Sequence, residues 1–228
     1  MAGETGARPE LVRVRVWDPW IRLVHWAIVL LIPLSWWTAR SERWDLHFLS
    51  GSAILALLVF RLAWGFVGSD TARFARFLRS PLEGLRHLAQ LRRREPDREI
   101  GHNAAGGWMV LVLLGVMLVQ AASGLFTDTG ILDHGPLAQR VPGAWSDRAG
   151  AIHHLTFNVI LALVALHVVA VLAYAVLKRQ DLVRPMVTGD KRLPPEDLPR
   201  APRIAPAWLA LLLLALAAAG STAIYRMG

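Results

Sequence analysis

The chain has no cysteine in its 228 residues. That absence removes disulfides, iron–sulfur clusters, zinc–thiolate sites and the thioether attachment of a c-type haem. Any haem would be held by axial ligands and packing alone. Charge is scarce as well: 18% of residues are charged against 54% apolar, with a mean hydropathy of +0.40. Such a balance is too apolar for an ordinary soluble domain and reads as an integral membrane protein. Acidic residues trail basic ones, 17 against 25, for a net charge of +8. The basic residues flank apolar runs, which is the pattern of membrane topology rather than of a nucleic-acid surface, so no nucleic-acid partner is expected. No small-residue cleavage site follows the first apolar run, which therefore reads as a retained anchor.

What is present is a set of runs long enough to cross a bilayer as helices. Residues 151–177 contain no charged residue, and about 20 apolar residues suffice for a span. A first span runs from about Trp20 to Ala39, opened by Asp18 as cap and Pro19 at the first helical position, with Pro33 inside it. A second covers 46–67, a third about 104–126, rich in Gly, Ala and Ser, and a fifth 206–224. The fifth carries no histidine or charge, so its simplest role is an anchor or a partner interface, which leaves self-association open. Lys and Arg number nineteen on one side, with Arg22 in the first turn of the first span included, and five on the other. The positive-inside rule puts the N-terminus in the cytoplasm and the C-terminus outside. Between spans two and three, RFARFLRSPLEGLRHLAQLRRR alternates Phe and Leu with Arg at helical spacing, as expected of a helix on the membrane surface. Tryptophans 17, 20, 36, 37 and 44 crowd the span ends as an interfacial belt.

Histidine inside hydrocarbon is costly, and by default marks a functional site. His153 and His167 are 14 residues apart, close to four turns, so they leave their helix on nearly one face, about 21 Å apart along it. His154 is out of phase. His25 lies seven residues after Asp18, roughly 10 Å into the membrane from the cytoplasmic side, the side from which His167 also approaches. His47 and His153 lie near the outer ends of their spans. Depth therefore pairs His25 with His167 and His47 with His153. Zinc would want three or four protein ligands per site, and these spans have no carboxylates. Two opposed imidazole pairs instead fit two six-coordinate haems, whose expected work is electron transfer. Arg61 is either a partner for a haem propionate or a snorkelling arginine. His102 is either a solvated cap residue or a proton donor at a quinone site. His87 and His134 read as surface residues.

The runs VWDPWIRLVHW (16–26), HFLSGSAILALLVFRLAWGFVGS (47–69), GHNAAGGWMVLVLL with QAASGLF (101–126), and IHHLTFNVILALVALH followed by RPMVTGDK together resemble the bacterial cytochrome b561 family. That family is similar to the membrane cytochrome b subunits of nickel–iron hydrogenases and formate dehydrogenases. The likeness covers residues 12–192. It implies an all-α, integral membrane four-helix bundle with two b-type haems (iron), His25, His47, His153 and His167 falling at the family's ligand positions. Two departures stand out: His154 where relatives often have Glu, and a fifth span beyond the usual four. The expected division is a cytoplasmic segment at 1–15, a di-haem membrane domain at 16–192, and a basic linker with the fifth helix at 193–228. The expected function is a multi-pass cytochrome of the bacterial inner membrane. It would pass electrons between a redox partner, a periplasmic cytochrome c or an oxidoreductase subunit, and the quinone pool. The alternative is an oxidoreductase in its own right, quinone-reducing or superoxide-oxidising.

Overall fold

The structure, a computed structural model, describes residues 11–89, 97–128, 134–198 and 200–227. The segment before Leu11, the basic end of the expected surface helix at 90–96 and the tip of the outer loop at 129–133 lie outside the described residues. Among the described residues five helices are long and apolar enough to cross a membrane: α1 (Pro19–Arg40), α2 (Trp44–Val67), α5 (Ala104–Gly124), α6 (Gly143–Leu177) and α8 (Ala207–Tyr225). Short elements cover one end of the bundle: α3 (Phe74–Phe77), α4 (Pro81–Ala89), α7 (Val183–Thr188), and two strands, β1 (Val12–Arg15) and β2 (Asp190–Leu193).

The opening of α1 follows its sequence. Asp18 Oδ1 accepts from the free amides of Trp20 and Ile21, both at 2.9 Å, and Pro19 takes the first helical position. The second carboxylate oxygen accepts from the Trp64 indole at 3.0 Å, so the same side chain ties α1 to the far end of α2. Asp18→Ala removes a cap and leaves a buried indole N–H unpaired, a cost of about 2–4 kcal/mol. The expected outcome is a melting temperature in detergent several degrees lower, with Asp18→Asn retaining part of the difference.

Close backbone packing joins α1 to α2, α2 to α8, α2 to α5, and α5 to α6. One core cluster gathers Ile21, Val24, Phe60 and Trp64 with Ala210 and Ala217 of α8, so the fifth helix is seated on α2 by its small residues. Ser52 and Ser221 add a hydrogen bond of 2.8 Å between α2 and α8. The other cluster joins Leu58, Phe74 and Phe77 to Leu114, Met117 and Ile160. Phe74 lies so close to α2 that a Cβ on Gly65 would stand 2.1 Å from its ring, which is why a glycine occupies that turn. Among the described residues, the α6 backbone has no comparable packing against α1 or α2.

Several sequence expectations change. The segment after α2 is not one surface helix, because Pro81 restarts the chain and Phe74 and Phe77 turn into the core. Trp17 is buried in that core rather than belonging to an interfacial belt, whereas Trp36 and Trp37 are half exposed, as a belt requires. The helix carrying His153 begins at Gly143, so His153 sits ten residues, about 15 Å, from its start rather than within two turns. Alanines 144, 149 and 151 favour that extension, and Ser146 ties it to Phe126 O at 2.5 Å.

β1 and β2 pair antiparallel, Val12 with Leu193 and Arg15 with Asp190, and both Arg13 and Arg15 bind the Asp190 carboxylate. Hydrogen bonding from Arg13 first, then from Arg15, holds that carboxyl below the usual range. A second clamp closes the base of α6. Asp97 accepts from His87 (2.8 Å), Asn103 (2.9 Å), Tyr174 (2.8 Å) and Lys178. Burial works against the Asp97 charge, but Lys178, Tyr174, His87 and Asn103 outweigh it and depress its pKa. His87 is thus a buried network member rather than a surface residue.

Candidate functional site

The inward face of α6 is legible in its burial. His153, Thr156, Phe157, Ile160, Val164, His167, Val171 and Tyr174 are wholly or partly buried, recurring every three or four residues, while His154 and Leu155 are exposed. His153 and His167 therefore share a face, and His154 points off it. On the facing helices, His25 of α1 and His47 of α2 are likewise half buried.

At one end of the bundle the rings of His47 and His153 lie 6.2 Å apart, centre to centre, at an interplanar angle of 85°. Each is oriented by a backbone carbonyl. His47 Nδ1 is 2.9 Å from Ser35 O, and His153 Nδ1 is 2.9 Å from Gln120 O. A carbonyl only accepts, so Nδ1 carries the proton in both rings and the lone pair is left on Nε2. The tight turn 41–43 between α1 and α2 is what brings Ser35 beside His47. His153 Nε2 is met by the Gln120 amide at 3.0 Å, and that amide's oxygen accepts in turn from Thr156. Gly124 makes room for the ring, since a Cβ there would stand 2.9 Å from His153 Cε1.

The other end holds His25 and His167. His25 Nδ1 is buried with no hydrogen-bond partner among the described residues. Nearby, His102 is wedged between Trp17 and Phe77, ring centres 4.6 and 4.7 Å away, and its Nδ1 is also buried without a partner. Burial first, and then the charges of Arg61 and His167, drive its pKa down to about 3. His102 is therefore neutral at physiological pH and is not the solvated cap expected; the cap is Asn103, whose side chain accepts from Gly106 N at 2.7 Å. Arg61 does not reach water: it is 6% exposed, its one hydrogen bond runs to Ala72 O at 3.4 Å, and its guanidinium lies 5.3 Å from the Phe74 ring centre. The Asp18 carboxylate already opposes part of that buried charge, and with one long bond among the described residues the guanidinium keeps donors for a further anionic acceptor.

These residues fit a haem better than a bare metal ion. Among the described residues no group of three or more His, Asp or Glu is arranged to hold a metal. Two imidazoles per ion suffice only where a macrocycle completes the coordination. Two Nε2 atoms sharing one metal at about 2.0–2.1 Å would hold the ring centres about 6 Å apart, close to the 6.2 Å of His47 and His153. An added Cβ on Gly51, one turn beyond His47, would meet nothing within 4 Å, so there is open space on that face of α2. Arg61 supplies a partner for a carboxylate.

Ser35, Gln120 and Gly124 were not read from the sequence as site residues. The first acts through its backbone and leaves no sequence signal. Gln120 is a polar amide within an apolar span, which is itself a marker. His134 pairs with Asp128 at 2.7 Å and belongs to neither histidine pair.

Apolar spanning helices with buried, opposed histidines define a membrane protein of the haem-carrying, helical-bundle class. The sequence matches the family model of prokaryotic cytochrome b561 over residues 16–189. The chain belongs to that family and is a multi-pass membrane b-type cytochrome of electron transport. No curated protein and no solved structure matches it significantly.

Proposed function

We propose that the protein holds two haems b, one between His25 and His167 and one between His47 and His153, and conducts electrons across the inner membrane. The observation that carries this reading is the outer pair: two imidazoles 6.2 Å apart, each fixed through Nδ1 by a carbonyl so that the lone pair lies on Nε2, which in His153 accepts from the Gln120 amide and would exchange that contact for a metal. Haem supplies a one-electron iron couple. The chain's own residues do the rest. A pair of histidines holding each haem would leave no coordination position open to oxygen, which favours electron transfer over oxygen chemistry. The 14-residue spacing of His153 and His167 fixes the two centres on one helix, about 21 Å apart along its axis. Arg61 offers its guanidinium to a propionate of the inner haem.

The charge asymmetry of the loops supports a cytoplasmic N-terminus, which puts the His25 pair on the cytoplasmic side and the His47 pair on the periplasmic side. Electrons then pass between a periplasmic partner, a cytochrome c or an oxidoreductase subunit, and the quinone pool. Residues 16–192 form the di-haem unit, and 193–228 add the linker and α8. The test is a reduced-minus-oxidised spectrum with pyridine haemochrome quantification on purified protein. Two b haems per chain are expected; one haem per chain rejects the two-site reading, and a colourless preparation rejects haem ligation by these histidines.

A further inference from the structure

A cavity of about 650 Å³ opens where the end of α6 meets α7 and the β1–β2 sheet. Its wall is rich in both signs of charge, and two of its acids are fully paired with cations. Asp97 is taken by Lys178 and its network, and Asp190 by Arg13 and Arg15. Asp181 accepts from the amides of Val183 and Arg184 at 2.9 and 3.0 Å, and Asp197 pairs with Arg98 at 3.4 Å through Oδ1, its Oδ2 being buried without a partner among the described residues. Three cations of the wall, Arg179, Arg184 and Arg192, have no side-chain acceptor among the described residues. Three unpaired guanidiniums around one concavity repel each other and favour an anion with several oxygens, the geometry that arginine forks match in phosphate.

The location decides which phosphate. Arg179 follows directly on Lys178, the residue that ends α6, so the cavity lies at the level where the apolar helix emerges from the bilayer. Beside the arginines, Val176 is 74% exposed, and Leu177, Val183 and Val187 are about half exposed. A soluble phosphate has no use for that apolar flank, whereas an acyl chain packs along it while the headgroup enters the cavity.

We propose that this cavity is a binding site for an anionic phospholipid, its phosphate held by Arg179, Arg184 and Arg192 and its acyl chains along the end of α6. The site rests on the chain's membrane location and is independent of how the haems are ligated.

The test is native mass spectrometry of the full-length, delipidated protein in mild detergent, titrated with phosphatidylglycerol or with phosphatidylcholine of the same acyl chains. Wild type is expected to retain one phosphatidylglycerol with at least about tenfold preference over phosphatidylcholine. Arg179→Gln, Arg184→Gln and Arg192→Gln combined should abolish that preference, while Arg40→Gln with Arg43→Gln at the opposite end of the bundle should keep it. Should the triple variant fail to fold, Arg184→Gln alone is expected to weaken retention about fivefold. Equal retention of the two lipids, unchanged retention in these variants, or displacement by millimolar inorganic phosphate would each overturn the proposal, the last by showing a site for a soluble anion.

Discussion

Replacing His153 with alanine is expected to halve the haem content of the purified protein, while His154→Ala leaves it unchanged. The contrast is sharp because the two histidines are neighbours with nearly equal depth and chemistry, and only their direction differs. His153 faces His47 at 6.2 Å and donates Nδ1–H to Gln120 O, whereas His154 is exposed on the outer face of α6. Axial ligation of a haem without covalent attachment depends on both imidazoles, so losing one frees that haem during purification. Haem per chain, by pyridine haemochrome against amino-acid analysis, reads the result. A haem lost from the His154 variant and kept in the His153 variant would reverse the assignment.

The second large effect is expected from the smallest substitution, Gly124→Ala. A methyl group there would stand 2.9 Å from His153 Cε1 and 3.1 Å from Nδ1, inside contact distance, so the imidazole has to tilt or withdraw. The Gln120 carbonyl that orients the ring is one turn away on the same helix and keeps its place, so ring and helix can no longer satisfy each other. Alanine also raises helix propensity by about 1 kcal/mol relative to glycine. Loss of the outer site is therefore separable from loss of fold. Redox titration should show one haem transition shifted or missing, with the helix content by circular dichroism unchanged. Two unaltered transitions would show that the close approach of α5 to the ring has no part in holding the haem.

The parts of this protein legible in its sequence are those governed by local repeats. The spans follow from length and apolarity, the start of α1 from Asp18 and Pro19, and the inward face of α6 from a 14-residue interval that nearly matches four turns. What escaped reading depends on residues far apart in the chain. β1 and β2 are four residues each, VRVR and DKRL, and neither is a strand until the other lies beside it. His87 and His102 look like surface positions because their burial is supplied by Tyr174 in one case and by Trp17 and Phe77 in the other. Ser35 acts by its carbonyl, a group every residue has. Gly143 opens its helix early because the outer-loop residues that follow favour helix, although their polarity suggested a loop.

The way the helices pair has a consequence for how this cytochrome is made and kept. Among the described residues α1, α2 and α8 form one block and α5 with α6 another, the spanning helices of the two blocks meeting in close backbone packing chiefly through α2 and α5. In the proposed ligation each haem takes one histidine from each block, so the cofactors act as rivets within the membrane between halves that otherwise meet along the α2–α5 seam and, at one end, through the β1–β2 pair. Binding of this kind adds its free energy to the folded state. Haem supply would then govern the protein's lifetime in the membrane as well as its colour: chains made when haem is short should be cleared by proteolysis, and the abundance of the cytochrome should follow the cell's iron.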